Sequence, residues 1–301
     1  MGQDSKIEWT HHTANLWWGC THVHEGCDNC YAEAWSNRFD KIDDKKVPLW
    51  GNDAPRREIR KTFADFKRYQ RMAEEAGEIH RVFVGSMMDI FEKPMSLIDA
   101  KGEPVTAIGS DGLEFELKTD WLRNAFFNDV VPNCPNLMFL LLTKRPSNIP
   151  KYIPQEWRTN MPTNVMFGVS VVNQKTADTL IPQLIMLRSK CFLSIEPQLG
   201  KIDLGEYLWR PSNYCEECGT GGKYLEKPCD NICGFKPIHW VIQGGESGPH
   251  KRAFDTEWAR FTRDQCKAVR IPYFFKQIDK VQEIPADLMI REFPEYQTKK
   301  L

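Results

Sequence analysis

The chain has no run of 18 apolar residues, so nothing in it reads as a membrane-spanning helix. Its first 20 residues carry Asp4, Lys6 and Glu8 and lack the apolar stretch that a secretory signal needs. Net charge is almost absent as well. The 40 Lys plus Arg stand against 41 Asp plus Glu, a balance of -1, which excludes a global positive field. Any contact with nucleic acid must then come from a local patch. There is no internal repeat and no low-complexity tract, which sets aside solenoids and disordered arrays. With 41% hydrophobic residues over 301 positions, disorder is excluded and a sizeable core is expected.

What the chain does have is cysteine, ten in all, and its grouping is informative. Cys20, Cys27 and Cys30 form one tight group, and Cys215, Cys218, Cys229 and Cys233 a second. Cys134, Cys191 and Cys266 stand alone and read as plain core residues. Grouped cysteines without a secretory signal point to metal rather than disulfides, in a cytoplasmic protein.

Six short apolar runs recur along the chain: 81–85, 137–142, 164–169, 191–195, 239–242 and 272–275. They are continuous rather than alternating, as strands buried on both faces are. A first strand is expected near 13–18. Helical patterns lie between the runs at 63–76, 120–131, 174–188 and 255–269, and another helix is expected to start near Tyr31. This alternation predicts βαβ units in an α/β fold, a full or partial (β/α) barrel of about seven strands, or a doubly wound sheet. A single domain over 1–301 is expected. Residues 92–119, with turn glycines and alternating Leu113, Phe115 and Leu117, predict a β-hairpin insert. Residues 40–61 read as a loop or short excursion, and Trp17, Trp18, Trp50, Trp121, Trp209 and Trp258, six of the ten tryptophans, as core or packing residues.

Polar groups follow nearly every predicted strand: Ser86 and Asp89, then Thr143, Lys144 and Arg145, then Ser170 and Asn173, then Glu196, Glu246, Lys276 and Gln277. In parallel α/β folds the C-terminal strand ends line the active site. Among these groups falls Cys20-x6-Cys27-x2-Cys30, after the first strand. Three thiols on one loop fit a [4Fe-4S] cluster with one open iron, or a Cys3His zinc site completed by His11, His12, His22 or His24.

An iron-sulfur loop after the first strand of a barrel resembles the radical S-adenosylmethionine enzymes. The usual loop there is C-x3-C-x2-C with an aromatic residue before the last cysteine; here the first gap is six and Asn29 holds that place. More closely, the chain resembles a phage and prophage family of radical-SAM-like proteins with an extended three-cysteine signature. The matching segments are Ile7-Glu8-Trp9-Thr10, Trp18-Gly19-Cys20-Thr21, Gly26-Cys27-Asp28-Asn29-Cys30-Tyr31, Gly85-Ser86-Met87-Met88-Asp89, Leu142-Thr143-Lys144-Arg145-Pro146, Ser194-Ile195-Glu196-Pro197, Gly244-Gly245-Glu246-Ser247 and Phe274-Phe275-Lys276-Gln277. The resemblance implies a partial TIM-type barrel of the radical SAM kind and a [4Fe-4S] cluster on Cys20, Cys27 and Cys30, whose fourth iron is chelated by S-adenosylmethionine. It implies further cofactor contacts at Ser86, Asp89, Ser170, Asn173 and Glu246, and catalytic roles for Lys144, Glu196 and Lys276. Lys144 is similar to the Thr-Lys of spore-photoproduct-lyase-like members. A 5′-deoxyadenosyl radical would then act on substrate, with electrons from a flavodoxin or ferredoxin. If phage-encoded, the protein would work in the host cytoplasm.

Cys215-x2-Cys218-x10-Cys229-x3-Cys233, in an insert at 206–237, has the spacing of a zinc ribbon, with an auxiliary iron-sulfur cluster as the alternative. Arg56, Arg57, Arg60, Lys61, Lys67, Arg68 and Arg71 put seven positive charges in 16 residues. On a helix, all but Arg56 would share one broad face, either solvated or contacting phosphate. Together these readings predict an enzyme acting on a nucleobase or nucleotide in DNA modification, such as hypermodified base rearrangement, or in repair. The alternative is a non-catalytic zinc protein that binds nucleic acid.

Overall fold

Seven strands form where the apolar runs predict them. The structure, a computed structural model, describes residues 5, 7–38, 41–42, 45–187, 189–208, 210–211, 234–235 and 237–296. The chain divides into two compact units. The first comprises Met1–Val169, Gly248–His250 and Tyr296–Leu301, and the second Ser170–Ser247 and Lys251–Glu295.

In the first unit, β1 (His12–Ala14), β2 (His80–Val84), β3 (Leu137–Thr143) and β4 (Val165–Ser170, whose last residue opens the second unit) lie side by side in chain order, all parallel. Leu140 sits in register with Phe83 on one side and Met166 on the other. Phe139, Leu140 and Leu141 are all fully buried, which is why the run is apolar throughout instead of alternating. Helix α1 (Tyr31–Ser36) is short, and α2 (Thr62–Ala76) buries Phe66, Tyr69 and Ala73, spaced three and four apart, toward β1, β2 and β3.

The predicted helix at 120–131 is interrupted. Helix α3 (Thr119–Ala125) runs into a π turn at Phe126–Val130 and a last short turn carrying Pro132. The wider turn lets the adjacent Phe126 and Phe127 both reach the interior. The predicted first strand also splits. Asn15 is fully buried between the halves, donating to Ser86 Oγ at 2.8 Å and accepting from Met87 N at 2.7 Å. Trp17–Trp18 then leaves the parallel sheet to pair with Arg56–Glu58, which in turn pairs with Leu97–Ile98. The expected loop at 40–61 therefore contains strands, including the antiparallel pair Lys41–Ile42 and Lys45–Lys46. The predicted insert does hold a hairpin, Thr106–Ile108 with Glu114–Glu116. Trp121 is half exposed, against the expectation of a packing role, while Cys134 is buried.

The second unit holds β5 (Cys191–Ile195), β6 (Trp240–Gly244) and β7 (Tyr273–Gln277), again parallel and in chain order. Among the described residues neither unit shows the order reversal that a doubly wound sheet requires. Helix α4 (Gln174–Ile185) starts from a capping box in which Asn173 accepts from Thr176 N, and α5 (Thr256–Ala268) starts from Asp255. Cys191 and Cys266 are fully buried. The second cysteine group lies at residues outside those described. The strands Arg210–Pro211 and Gly234–Phe235 pair antiparallel and join the two ends of the segment that carries it. Among the described residues no helix is long and apolar enough to cross a membrane.

Candidate functional site

In the first unit the C-terminal ends of β1, β2 and β3 meet the three-cysteine loop. The loop begins at Gly19, whose backbone N–H donates to Met87 O at 3.1 Å. Its φ is +120°, and a Cβ there would lie 2.3 Å from Leu49 O and 2.6 Å from Arg56 Cδ. Only glycine fits both the torsion and the space. Cys27 closes a single 3-10 turn, Cys30 stands at the N-terminus of α1, and Tyr31 donates to Ser86 O at 2.9 Å. Asn29 donates to His250 O at 2.9 Å, so the residues after the Gly-Gly-Glu segment return to this loop.

Two arginines hold the loop from below. Arg56 is fully buried and makes a bidentate pair with Glu92, at 2.9 and 2.6 Å. Its remaining N–H groups donate to Leu49 O, Ala54 O, Gly51 O and Thr21 Oγ1. Arg145, just past β3, donates to Thr21 O at 2.6 Å and to Asp89 Oδ2 at 2.7 Å, and its Nη1 lies 3.9 Å from Cys20 Sγ. Asp89 also accepts from Thr143 Oγ1, Lys144 N and Phe91 N. Its carboxylate is therefore engaged by the protein itself. Burial disfavours the Arg145 cation, but Asp89, Cys20 and Glu92 outweigh that and hold it above its ordinary range.

All three cysteines of the loop are free and half-buried. Burial pushes the Cys20 thiol up to about 12, with Asp89 adding to the rise and Arg145 opposing it. Burial raises Cys30 too, against the N–H groups at the start of α1 and the charge of Lys144. His24 Nδ1 accepts from Gly26 N at 3.1 Å, so the neutral ring carries its proton on Nε2. That nitrogen is buried with no hydrogen-bond partner among the described residues. Burial, and after it Lys144, lowers His24 to about 4.

Among the described residues no three His, Cys, Asp or Glu side chains are gathered closely enough to hold a metal ion. The donor set nevertheless fits a cluster with three protein ligands. It offers three soft donors on one loop, none spent in a disulfide, with Arg145 and Lys144 near enough to offset thiolate charge. It fits a Cys3His zinc site less well. A protonated His24 Nε2 has no lone pair to give, and His22 Nε2 lies 3.4 Å from Asp28 Oδ1. His11 and His12 belong to the N-terminal end of β1, where His12 stacks on Tyr69 with centroids 4.0 Å apart and meets His80 at 3.0 Å.

The other predicted residues fall in the second unit. Lys276 Nζ donates to Glu196 Oε1 at 2.5 Å at the ends of β7 and β5. Glu246 is buried and bound by Arg252 through Nε at 3.0 Å and Nη2 at 2.6 Å. Ser170 is buried, and Asn173 is occupied in capping α4.

The basic segment departs from the single helical face expected. Arg57 lies on the strand Arg56–Glu58, Arg60 and Lys61 on the turn before α2, and Lys67, Arg68 and Arg71 on α2. Arg60 pairs with Glu58 at 3.0 Å and Arg68 with Asp65 at 2.9 Å, and Lys61 and Lys67 are exposed. Reasoning from sequence missed Glu92, counted Arg56 only as one of the basic run, and did not foresee the contacts of Arg145. The last was visible only as one more polar group after a strand.

A family model described as "Protein of unknown function (DUF5131)" matches residues 4–100 and 104–292. The chain belongs to the DUF5131 family. The match covers every residue of the site just described, so in this DUF5131 protein the loop, its arginines and the strand ends lie within the family's common region. No curated protein and no solved structure matches the chain.

Proposed function

We propose that this protein is a radical S-adenosylmethionine enzyme on a partial (β/α) barrel, holding a [4Fe-4S] cluster on Cys20, Cys27 and Cys30. One observation carries the reading: three free thiols share a loop at the carboxyl ends of parallel strands, with a guanidinium set against one of them. A cluster held by Cys20, Cys27 and Cys30 would supply the one-electron reduction by which S-adenosylmethionine is split for radical chemistry on substrate. The chain's own residues bind, orient and exclude water. The Arg56–Glu92 pair anchors the start of the loop, and Asp89 orients Arg145 toward Cys20. Met87, Met88, Ile90 and Phe91, all buried after β2, keep that strand end dry. In the second unit, the Lys276–Glu196 pair offers an ammonium and a carboxylate, the groups that complement a zwitterionic cofactor or a polar substrate.

The substrate class in this proposal is a nucleobase or nucleotide, in DNA modification or repair, with the exposed Lys61 and Lys67 and the neighbouring arginines supplying phosphate contacts. A zinc ion on Cys215, Cys218, Cys229 and Cys233 and a flavodoxin or ferredoxin as electron donor belong to the same reading. The experiment is anaerobic purification and reconstitution with iron and sulfide. A broad absorption near ~400 nm is expected, followed by 5′-deoxyadenosine on adding dithionite and S-adenosylmethionine. Cys27→Ala should abolish both. Colourless protein with two zinc ions and no 5′-deoxyadenosine would overturn the reading in favour of a zinc-dependent nucleic-acid binder.

A further inference from the structure

We infer that Arg145 is a positioning residue for the Cys20 end of the cysteine loop, and that its N–H···S contact sets the reduction potential of the cluster held there. This rests on the functional reading above and goes beyond it, since it assigns a role to a residue outside the three-thiol set.

The geometry is that of a guanidinium clamped on several sides. Nη1 donates to Asp89 Oδ2 at 2.7 Å and lies 3.9 Å from Cys20 Sγ, while Nη2 donates to Thr21 O at 2.6 Å and lies 3.9 Å from Glu92 Oε1. Arg145 thus bonds to the residue next to Cys20 as well as reaching its sulfur. Its own place is fixed from the strand ends. Thr143 Oγ1 accepts from Arg145 N at 2.8 Å and donates to the same Asp89 carboxylate, also at 2.8 Å. The side chain is only 15% exposed, so water screens the contact poorly. A planar fork can serve Asp89, Thr21 and Cys20 together, whereas the single ammonium of a lysine is a point charge on a flexible stem.

The consequence for a cluster follows from charge. Reduction adds an electron, and a nearby cation with an N–H directed at a ligating sulfur stabilises the reduced state over the oxidised one. Removing it makes the cluster harder to reduce. A charge-assisted hydrogen bond of this kind weights the equilibrium by roughly tenfold, which for a one-electron couple is about 59 mV.

The test compares the reconstituted wild-type full chain with R145Q and R145K by iron content, redox titration followed by electron paramagnetic resonance, and far-UV circular dichroism. R145Q with native dichroism should either hold less iron or carry a cluster whose potential is lower by about 59 mV. R145K, which keeps the charge and loses the fork, should fall between. R145Q with native dichroism, full iron content and an unchanged potential overturns the inference. If R145Q does not fold, R145K decides: iron content and potential equal to wild type overturn it. Wild-type protein that takes up no cluster overturns the functional reading, and the inference with it. A wild-type cluster indifferent to both substitutions overturns the inference alone.

Discussion

Replacing Glu92 with glutamine tests what holds the cysteine loop in place. The Arg56 and Glu92 side chains are 0% and 2% exposed, and their bidentate contact joins the strand Arg56–Glu58 to the segment after β2. Glutamine keeps the shape but removes the charge, and it turns an NH2 group toward a guanidinium that can only donate. Arg56 keeps its bonds to Leu49 O, Ala54 O, Gly51 O and Thr21 Oγ1, yet is left as a buried cation without its counter-charge. Breaking one side of a buried pair in this way costs about 3–5 kcal/mol. For a unit of this size, roughly 2–4 °C of Tm is lost per kcal/mol, so Glu92→Gln should lower Tm by about 6–20 °C. Thermal unfolding followed by circular dichroism at neutral pH reads this directly. The double variant Arg56→Met with Glu92→Leu should lose less than Glu92→Gln alone, since no charge is then stranded. A drop of under about 2 °C for Glu92→Gln would refute the claim that this pair anchors the loop.

Further outcomes are expected. Gly19→Ala should destabilise by at least about 2 kcal/mol in denaturant titration, because a positive φ and an approach of 2.3 Å to Leu49 O are both incompatible with a side chain; unchanged stability would mean the loop starts differently. His24 is lowered from 6.5 to about 4, so below 6.5 the unfolded chain binds the extra proton first. Its contribution to stability is present above pH 6.5 and is lost as pH falls toward 4, and His24→Asn should flatten that part of the pH–stability curve. His11 titrates in the same direction and adds to the wild-type slope, so His11→Asn is the matching control. The triple variant of Arg60, Lys61 and Lys67 to alanine should weaken binding to duplex DNA and reduce the salt slope by roughly 0.9 for each phosphate that is no longer neutralised. An unchanged slope would remove the basic segment from the interface.

The fold was legible because its signals are local. Continuous apolar runs such as Leu137–Leu142 read directly as the parallel strands, and the helical pattern over 63–76 read as α2. Legibility failed where a tertiary contact overrides the local pattern. A buried Asn15, tied to Ser86 and Met87, splits what reads as one strand, and two adjacent buried phenylalanines widen a helix into a π turn. The charge run at 56–71 reads as one helical face only while the strand pairing of Arg56–Glu58 with Trp17–Trp18 is unknown.

The same division holds at the site. Sequence alone determined that three thiols share one loop after the first strand, that polar groups follow the strand ends, and that no field of one sign surrounds the protein. Those are matters of spacing and composition, carried by neighbouring residues. Only the tertiary structure decided which charges meet: Arg56 with Glu92 across 36 residues, Arg145 with Asp89 across 56, and Arg145 with Cys20 across 125. It decided too that Asp89 spends its carboxylate on the protein, and that His24 points a lone N–H into a buried space. An arginine far along the chain carries no periodic mark of the partner it will find, since that pairing follows from where strands end once they lie side by side.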